Sequence, residues 1–290
     1  MADHSFISCL DIIQISGQDN TLFLQGQLTC DLNTLSDDNW TWGAHCDNKG
    51  KLLAPFRIFK HQNNYFIMIQ TELQDIHLSA LKKYAIFNKV SFEIVTHLYS
   101  ISVEYHQSSE KRLKSTHHDI ITLISPFHTL TIKPHSNNQE QANINNNQQF
   151  IYHELLQGIP WLQASQSGQF LPQMLNLDKI GAIQYDKGCY IGQEMVARTH
   201  FRGVNKRAMA ILVGNYQSPI KKDTDKQVMI TVNNTQKNAG KIAYYMETII
   251  NEQKKRIIAI IMSQEVDDKA QFYCNNEAIS LVSIDYEIIT

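Results

Sequence analysis

The chain has 290 residues, of which 43% are apolar and 19% charged, with a formal net charge of -2. That length exceeds one ordinary core and predicts two or three packed units of a soluble globular class. The charge balance excludes a general polyanion binder but not a local basic patch. No apolar run nears the roughly 20 residues of a membrane span, and "MADHSFISCL" lacks a basic region followed by an apolar one, so neither a membrane anchor nor a signal peptide is expected. The five cysteines, Cys9, Cys30, Cys46, Cys189 and Cys274, are scattered and include no CxxC pair. Such a set argues against a disulfide framework or a structural metal site, and fits a reducing cytoplasm.

In chain order, Asp11 to Ser16 ("DIIQIS") reads as a strand ended by Gly17. Asp19 is a candidate N-cap for a helix through "NTLFLQGQ", and Thr29 and Asp31 are capping candidates for the turn that follows. Trp40 to Gln70 predicts a meander, with turns at Asp47–Gly50 and His61–Asn64. Leu73, Ile76, Ala80, Leu81 and Tyr84 recur at helical spacing and predict an amphipathic helix over Thr71 to Phe87. "VSFEIV" and "LYSISVEY" return to strand, which makes the whole α+β. Asn137 to Gln149, "NNQEQANINNNQQ", predicts a solvent loop, because its composition builds no core. After Asn205 five strand-like runs separated by polar turns predict a C-terminal antiparallel β-barrel or sandwich, and the chain is divided at residues 203/204.

One stretch carries chemistry. In "YDKGCYIGQEMVARTHFRG" (Tyr185 to Gly203), Gly188 and Gly192 flank "CYI", and a helix is predicted from Gln193 to His200, with Glu194 and Arg198 spaced as an i,i+4 pair. Cys189 then precedes a helix N-terminus and has Lys187 two residues away. Both features favour a thiolate; the alternative is a small buried apolar residue, and the local sequence weighs the two equally. Arg198, Arg202 and Lys206 repeat every four residues and are followed by Arg207. They could grip a carboxylate or phosphate, or be a solvated face at a junction. Trp40, Trp42, Phe150, Trp161 and Phe170 could stack on a planar heterocycle or simply fill core.

"KGCYIGQEMVARTHFRGVNKR" (Lys187 to Arg207) closely resembles the signature of the YgfZ family, folate-binding proteins that support iron–sulfur enzymes and tRNA modification. "FLQGQLTCDL" (Phe23 to Leu32), "AHCDNKGKLLAPFRIF" (Ala44 to Phe59) and "GIPWLQASQSGQFLPQMLNLDKIGAI" (Gly158 to Ile183) agree in order, so the resemblance spans almost the whole chain. The family is similar to the aminomethyltransferase of glycine cleavage. That kinship implies two intertwined α+β subdomains in residues 1–203 and a β-barrel in 204–290 around a central channel, with tetrahydrofolate or a one-carbon derivative as the ligand. It makes Cys189 and Lys187 the candidate reactive pair. It also makes Phe150, Tyr190, Gln193, Glu194, Arg198 and Arg202 folate-binding candidates, the two arginines by their charge and spacing.

Two departures bear on the reaction. The aminomethyltransferases carry carboxylates after the glycine-rich turn, where this chain has Ala54 and Pro55. They also carry a glutamate two residues before a glycine to hold the pterin; here Leu156 precedes Gln157 and Gly158. The expectation is a folate-binding accessory factor without aminomethyl transfer. Through Cys189 it would help build, repair or maintain [4Fe–4S] client enzymes, including the one that methylthiolates tRNA. A single cysteine cannot complete a cluster site, so the clients or assembly proteins must supply the other ligands. The alternative is a folate-dependent one-carbon transferase acting on a small molecule or tRNA. Direct tRNA binding through "HFRGVNKR" is disfavoured by the net charge.

Overall fold

The computed structural model describes residues 5–106, 112–135, 143–203, 205–220, 226–232, 235–266 and 270–288. The meander forms as expected: β3 (Trp40–Cys46), β4 (Leu52–His61) and β5 (Asn64–Gln70) pair antiparallel in sequence. Asp47 closes the first turn, its Oδ1 accepting from the amides of Lys49 at 2.9 Å and Lys51 at 2.7 Å. Gln62 and Asn63, at φ of 48° and 62°, make the tight second turn whose left-handed pair matches strand twist. β5 also pairs with β2 (Leu10–Ser16), and β2 with β6 (Ser91–Ile94), giving a five-stranded sheet ordered β3-β4-β5-β2-β6. The expected helix over Thr71 to Phe87 is shorter: a 3₁₀ turn at Thr71–Leu73 leads into α2 (Gln74–Tyr84), with Leu78 and Leu81 buried and Tyr84 and Phe87 exposed. α1 spans Asn20–Gln25, but Asp19 does not cap it; its Oδ2 accepts from the Lys89 amide at 2.8 Å instead. Asp31 caps a 3₁₀ turn by accepting from Asn33, while Thr29 donates to Ala182 O at 2.6 Å and is no cap.

A second five-stranded antiparallel sheet is ordered β1-β7-β10-β9-β8, from β1 (Ser5–Ile7), β7 (Tyr99–Tyr105), β8 (Leu113–His117), β9 (Ile120–Ile124) and β10 (His128–Pro134). β1 belongs to this sheet and β2, starting at Leu10, to the other, so the chain changes sheets within three residues and the two α+β units interlock. The polar stretch is not all loop. Residues 136–142 lie outside the described residues, but α3 runs over Ile144–Leu156 with Asn143 as its N-cap, accepting from Asn145 at 3.0 Å. Asn146 and Asn147 bond to Phe6 and Ser8, and Phe150, Ile151 and Leu155 form the buried face. Packing overrides composition here.

Among the described residues seven strands follow α4 (Gln193–Phe201), where five runs were expected. They are β11 (Arg207–Asn215), β12 (Val228–Val232), β13 (Thr235–Asn238), β14 (Gly240–Ile250), β15 (Gln253–Ser263), β16 (Gln271–Cys274) and β17 (Glu277–Leu281), in a curled sheet ordered β13-β12-β16-β17-β11-β15-β14. β15 explains how this sheet attaches. Alternate residues of a strand face opposite sides: Ile258, Ile260 and Met262 pack in the curled sheet's own core, while Ile257, Ala259 and Ile261 join the core of the first 200 residues. The division proposed at 203/204 therefore falls between α4 and β11 but does not divide the core. Among the described residues no helix is long and apolar enough to cross a membrane.

Three histidines are buried with this core. His45 Nδ1 and His77 Nδ1 lie 3.2 Å apart, one ring donating to the other, and His128 packs edge-on against Phe150. Burial pulls His45 down to about 4 and His77 and His128 well below the ordinary 6.5; the neighbouring His45 adds to the effect on His77, and Arg57 to that on His128. These groups stay neutral when folded but take protons below pH 6.5 when unfolded. Stability is therefore full above pH 6.5 and falls as the pH drops from 6.5 towards 4, by up to about 1.4 kcal/mol per pH unit per histidine. Urea midpoints at pH 7.0 and 5.5 should differ by several kcal/mol in unfolding free energy; equal values would contradict the burial of these rings.

Candidate functional site

The signature loop is fastened from below. Gln184 N–H donates to Thr29 O at 2.9 Å and Ile191 N–H to Gly26 O at 3.0 Å. Lys187 is buried, and its Nζ donates to Gln25 O, Leu28 O and Cys30 O at 2.9, 2.7 and 2.6 Å. An ammonium carries three tetrahedral donors, and this cup of carbonyls takes all of them. Burial lowers Lys187 to about 8, against the pull of Cys30 and Asp31. The expected role of Lys187 as a charge supporting Cys189 is thereby corrected: the side chain turns inward, and its physical work is to clamp the loop to the α1 region. Tyr190 lies buried beside it, with Nζ 5.3 Å from the ring centroid. Gly192 then turns at φ +81°, where a Cβ would stand 2.4 Å from Asp47 O, so the loop seats against the Asp47–Gly50 turn and only glycine fits.

Cys189 is exposed at the crest of this loop. Burial pushes the other thiols up, Cys9 and Cys30 to about 12 and Cys46 and Cys274 upward as well. The packing alternative for Cys189, a small buried apolar residue, does not describe its place.

α4 buries Val196 and Thr199 and turns Glu194 and Arg198 to solvent, with Gln193 half-buried. The helix ends with Arg202 as its C-cap and Gly203 at φ +59°. Among the described residues no ion pair joins Glu194 to Arg198. The basic strip survives the helix end: Arg198, Arg202, Lys206 and Arg207 line one open pocket of about 630 Å³ with Leu171 and Met195. Cys189 does not line it.

Sequence reasoning missed a second cluster where the sheets converge. Glu154 on α3 is ion-paired to Arg57 of β4, accepts from Trp161 Nε1 at 3.0 Å, and has His128 Nε2 at 3.5 Å. Both partners of the pair are buried, with side chains 3% and 2% exposed. The guanidinium lies 4.1 Å from the centroid of the Trp42 ring. Burial pushes the Glu154 carboxyl up, opposed by the Arg57 guanidinium and the Trp161 N–H; Arg57 itself stays charged. α3 also packs on β1, β14 and β15, so Glu154 stands where three sheets meet.

Arg57, Glu154, Trp42 and Trp161 line a void of about 10 Å³ together with Leu10 and Pro55. Pro55 is a position where the sequence departs from its resemblance. Phe150 is fully buried behind the pair, touching Trp161 edge-on at 6.1 Å, and does not line the void. The expected site residues are thus divided among three places: Phe150 here, Lys187, Cys189 and Tyr190 on the loop, and Arg198 and Arg202 at the basic pocket. Aromatic walls, a buried carboxylate and a buried guanidinium suit a planar heterocycle. The space does not: about 10 Å³ holds one water, while ligand pockets run to ~300–1,000 Å³. Among the described residues no group of three or more His, Cys, Asp or Glu could hold a metal ion.

No family model matches the chain. It is 30% identical over 278 residues to the tRNA-modifying protein YgfZ of Vibrio atlanticus, covering 91% of this chain and 85% of that one. It is 29% identical over 289 residues to the tRNA-modifying protein YgfZ of Escherichia coli O157:H7, covering 92% and 87%. In fold it is similar to the glycine cleavage system aminomethyltransferase T from Bartonella henselae, with a TM-score of 0.67 at 10% identity over 98% of this chain and 85% of that one. That likeness accounts for the three-sheet architecture; the sequence kinship goes further, and on it the chain belongs to the YgfZ family.

Proposed function

We propose that this protein is a tetrahydrofolate-binding accessory factor that supports assembly, repair or maintenance of [4Fe–4S] enzymes and thereby tRNA methylthiolation, with Cys189 as its reactive group. The observation that carries this reading is the exposed Cys189, presented on a loop clamped by the buried Lys187 while the other thiols are half-buried or buried. One exposed thiol supplies one ligand or one nucleophile, so the cluster is cargo and a client or assembly protein supplies the remaining ligands. Arg198 and Arg202 in the basic pocket are suited to the glutamyl carboxylates of a folate.

The stretch after the glycine-rich turn, which bears catalytic carboxylates in aminomethyltransferases, carries Ala54 and Pro55 on β4 here, so the reading is binding without aminomethyl transfer. Purified protein mixed with methylene-tetrahydrofolate is expected to retain the folate unchanged. Multiple turnovers of folate conversion would replace this reading with that of a one-carbon transferase.

A further inference from the structure

Two open hollows meet where the curled sheet begins. The basic pocket of about 630 Å³ has Leu171 and Met174 on its floor. A second hollow, of about 790 Å³, is lined by residues of β12, β13, β14 and β15 over a floor of Ile230, Ile261 and Met262, all three buried. Arg207 lines both, so the two run into one trough. Exposed cations edge it: Arg198, Arg202, Lys206 and Arg207 at the first hollow, Lys237 and Lys241 at the second. Among the described residues Glu265 is the one carboxylate that lines either hollow, and no ion pair engages any of these cations. In a chain of net charge -2 this is a local concentration of positive charge. The glutamyl tail of a folate uses Arg198 and Arg202 and leaves Lys206, Arg207 and the second hollow without a ligand. The walls choose among polyanions. Single-stranded RNA stacks its bases on aromatic rings, and no ring lines either hollow among the described residues. Aliphatic and methionine side chains beneath exposed cations suit a polypeptide with one apolar and one acidic face.

We propose that the trough from Lys206 and Arg207 across to Lys237 and Lys241 docks an acidic, amphipathic segment of the client or assembly protein that brings the remaining cluster ligands. The proposal rests on the accessory-factor reading above and adds to it the surface and the chemistry of the partner. α4 links trough and thiol: its first residue, Gln193, follows the Gly192 turn of the Cys189 loop, and its C-cap, Arg202, edges the basic pocket. A partner seated in the trough is thus held one short helix away from Cys189. Cations of one sign also steer an acidic partner on encounter, which makes the association salt-dependent.

The test titrates the full-length protein with a labelled synthetic helical peptide, glutamates on one face and leucines on the other, and follows its anisotropy at low and high salt. Poly-glutamate and a single-stranded RNA of equal charge are the comparisons. The variant is Lys206→Glu/Lys237→Glu, which reverses one cation in each hollow and touches no residue assigned to folate. Both side chains are exposed, and urea unfolding checks the fold; Lys206→Gln/Lys237→Gln decides if the reversed form does not fold. Wild type is expected to bind the peptide at least about tenfold more tightly than poly-glutamate or RNA, because only the peptide has an apolar face to bury. High salt should weaken that binding. The charge-reversed variant should bind the peptide at least about tenfold more weakly, since two attractions become repulsions. It should also restore less [4Fe–4S] enzyme activity than wild type in a strain lacking its own copy of this protein. Equal peptide binding by wild type and variant, or a preference for poly-glutamate, overturns the proposal; a preference for RNA overturns it in favour of a nucleic-acid surface. Full rescue by the charge-reversed variant overturns the docking role and leaves the reading of Cys189 standing. Full rescue by Cys189→Ala overturns that reading instead.

Discussion

Replacing Lys187 with methionine is expected to lower the unfolding free energy by about 2–4 kcal/mol, because it strands buried backbone carbonyls at Gln25, Leu28 and Cys30 that accept from one ammonium. Each unpaired buried acceptor costs about 1–3 kcal/mol, and relief of the desolvated charge returns part of the sum. Lys187→Arg should not rescue it. The guanidinium is planar and longer, and cannot aim three donors into a cup shaped for a tetrahedral ammonium. This separates a clamp from a charge, since a residue that acted only by its charge near Cys189 would tolerate arginine. Urea unfolding gives the stability, and the rate of alkylation of Cys189 gives the state of the loop. Both variants should shift the midpoint and alter that rate; unchanged values in Lys187→Met would contradict the clamp.

Much of this fold was legible because its signals are local. The meander announces itself through Asp47–Gly50 and His61–Asn64, and the alternation in "RIIAIIMS" became a strand whose two faces serve two cores. The long signature around Cys189 carried the family with it, and through its kinship the α+β fold with a C-terminal antiparallel β unit. What was illegible depends on distant partners. Nothing within "NINNNQQF" marks a helix; its burial comes from docking against strands at both ends of the chain. Arg57 and Glu154 stand 97 positions apart, and no local pattern pairs them. A sharper eye would have noted a lone arginine inside the apolar run "LLAPFRIF" and a lone glutamate near Phe150, Ile151 and Leu155, since a charge in such company needs an opposite one. Lys187 misled for the same reason. Sequence places it two residues from Cys189, but its three acceptors lie 157 to 162 positions away and turn it inward.

The proposed function puts its chemistry on the loop. Ala54 and Pro55 offer no acid or base, and Glu154 is engaged with Arg57 and Trp161. Cys189 is the group left facing solvent, beside a chain whose other thiols burial keeps protonated. As an exposed side chain it should tolerate alanine within about 0.5 kcal/mol of stability, so its functional weight can be read without a folding defect. The decisive measurement is rescue of [4Fe–4S] enzyme activity and tRNA methylthiolation in a strain lacking its own copy of this protein. Cys189→Ala is expected to accumulate to wild-type levels and fail to restore either activity, while Cys9→Ala restores both. Full rescue by Cys189→Ala would contradict the account.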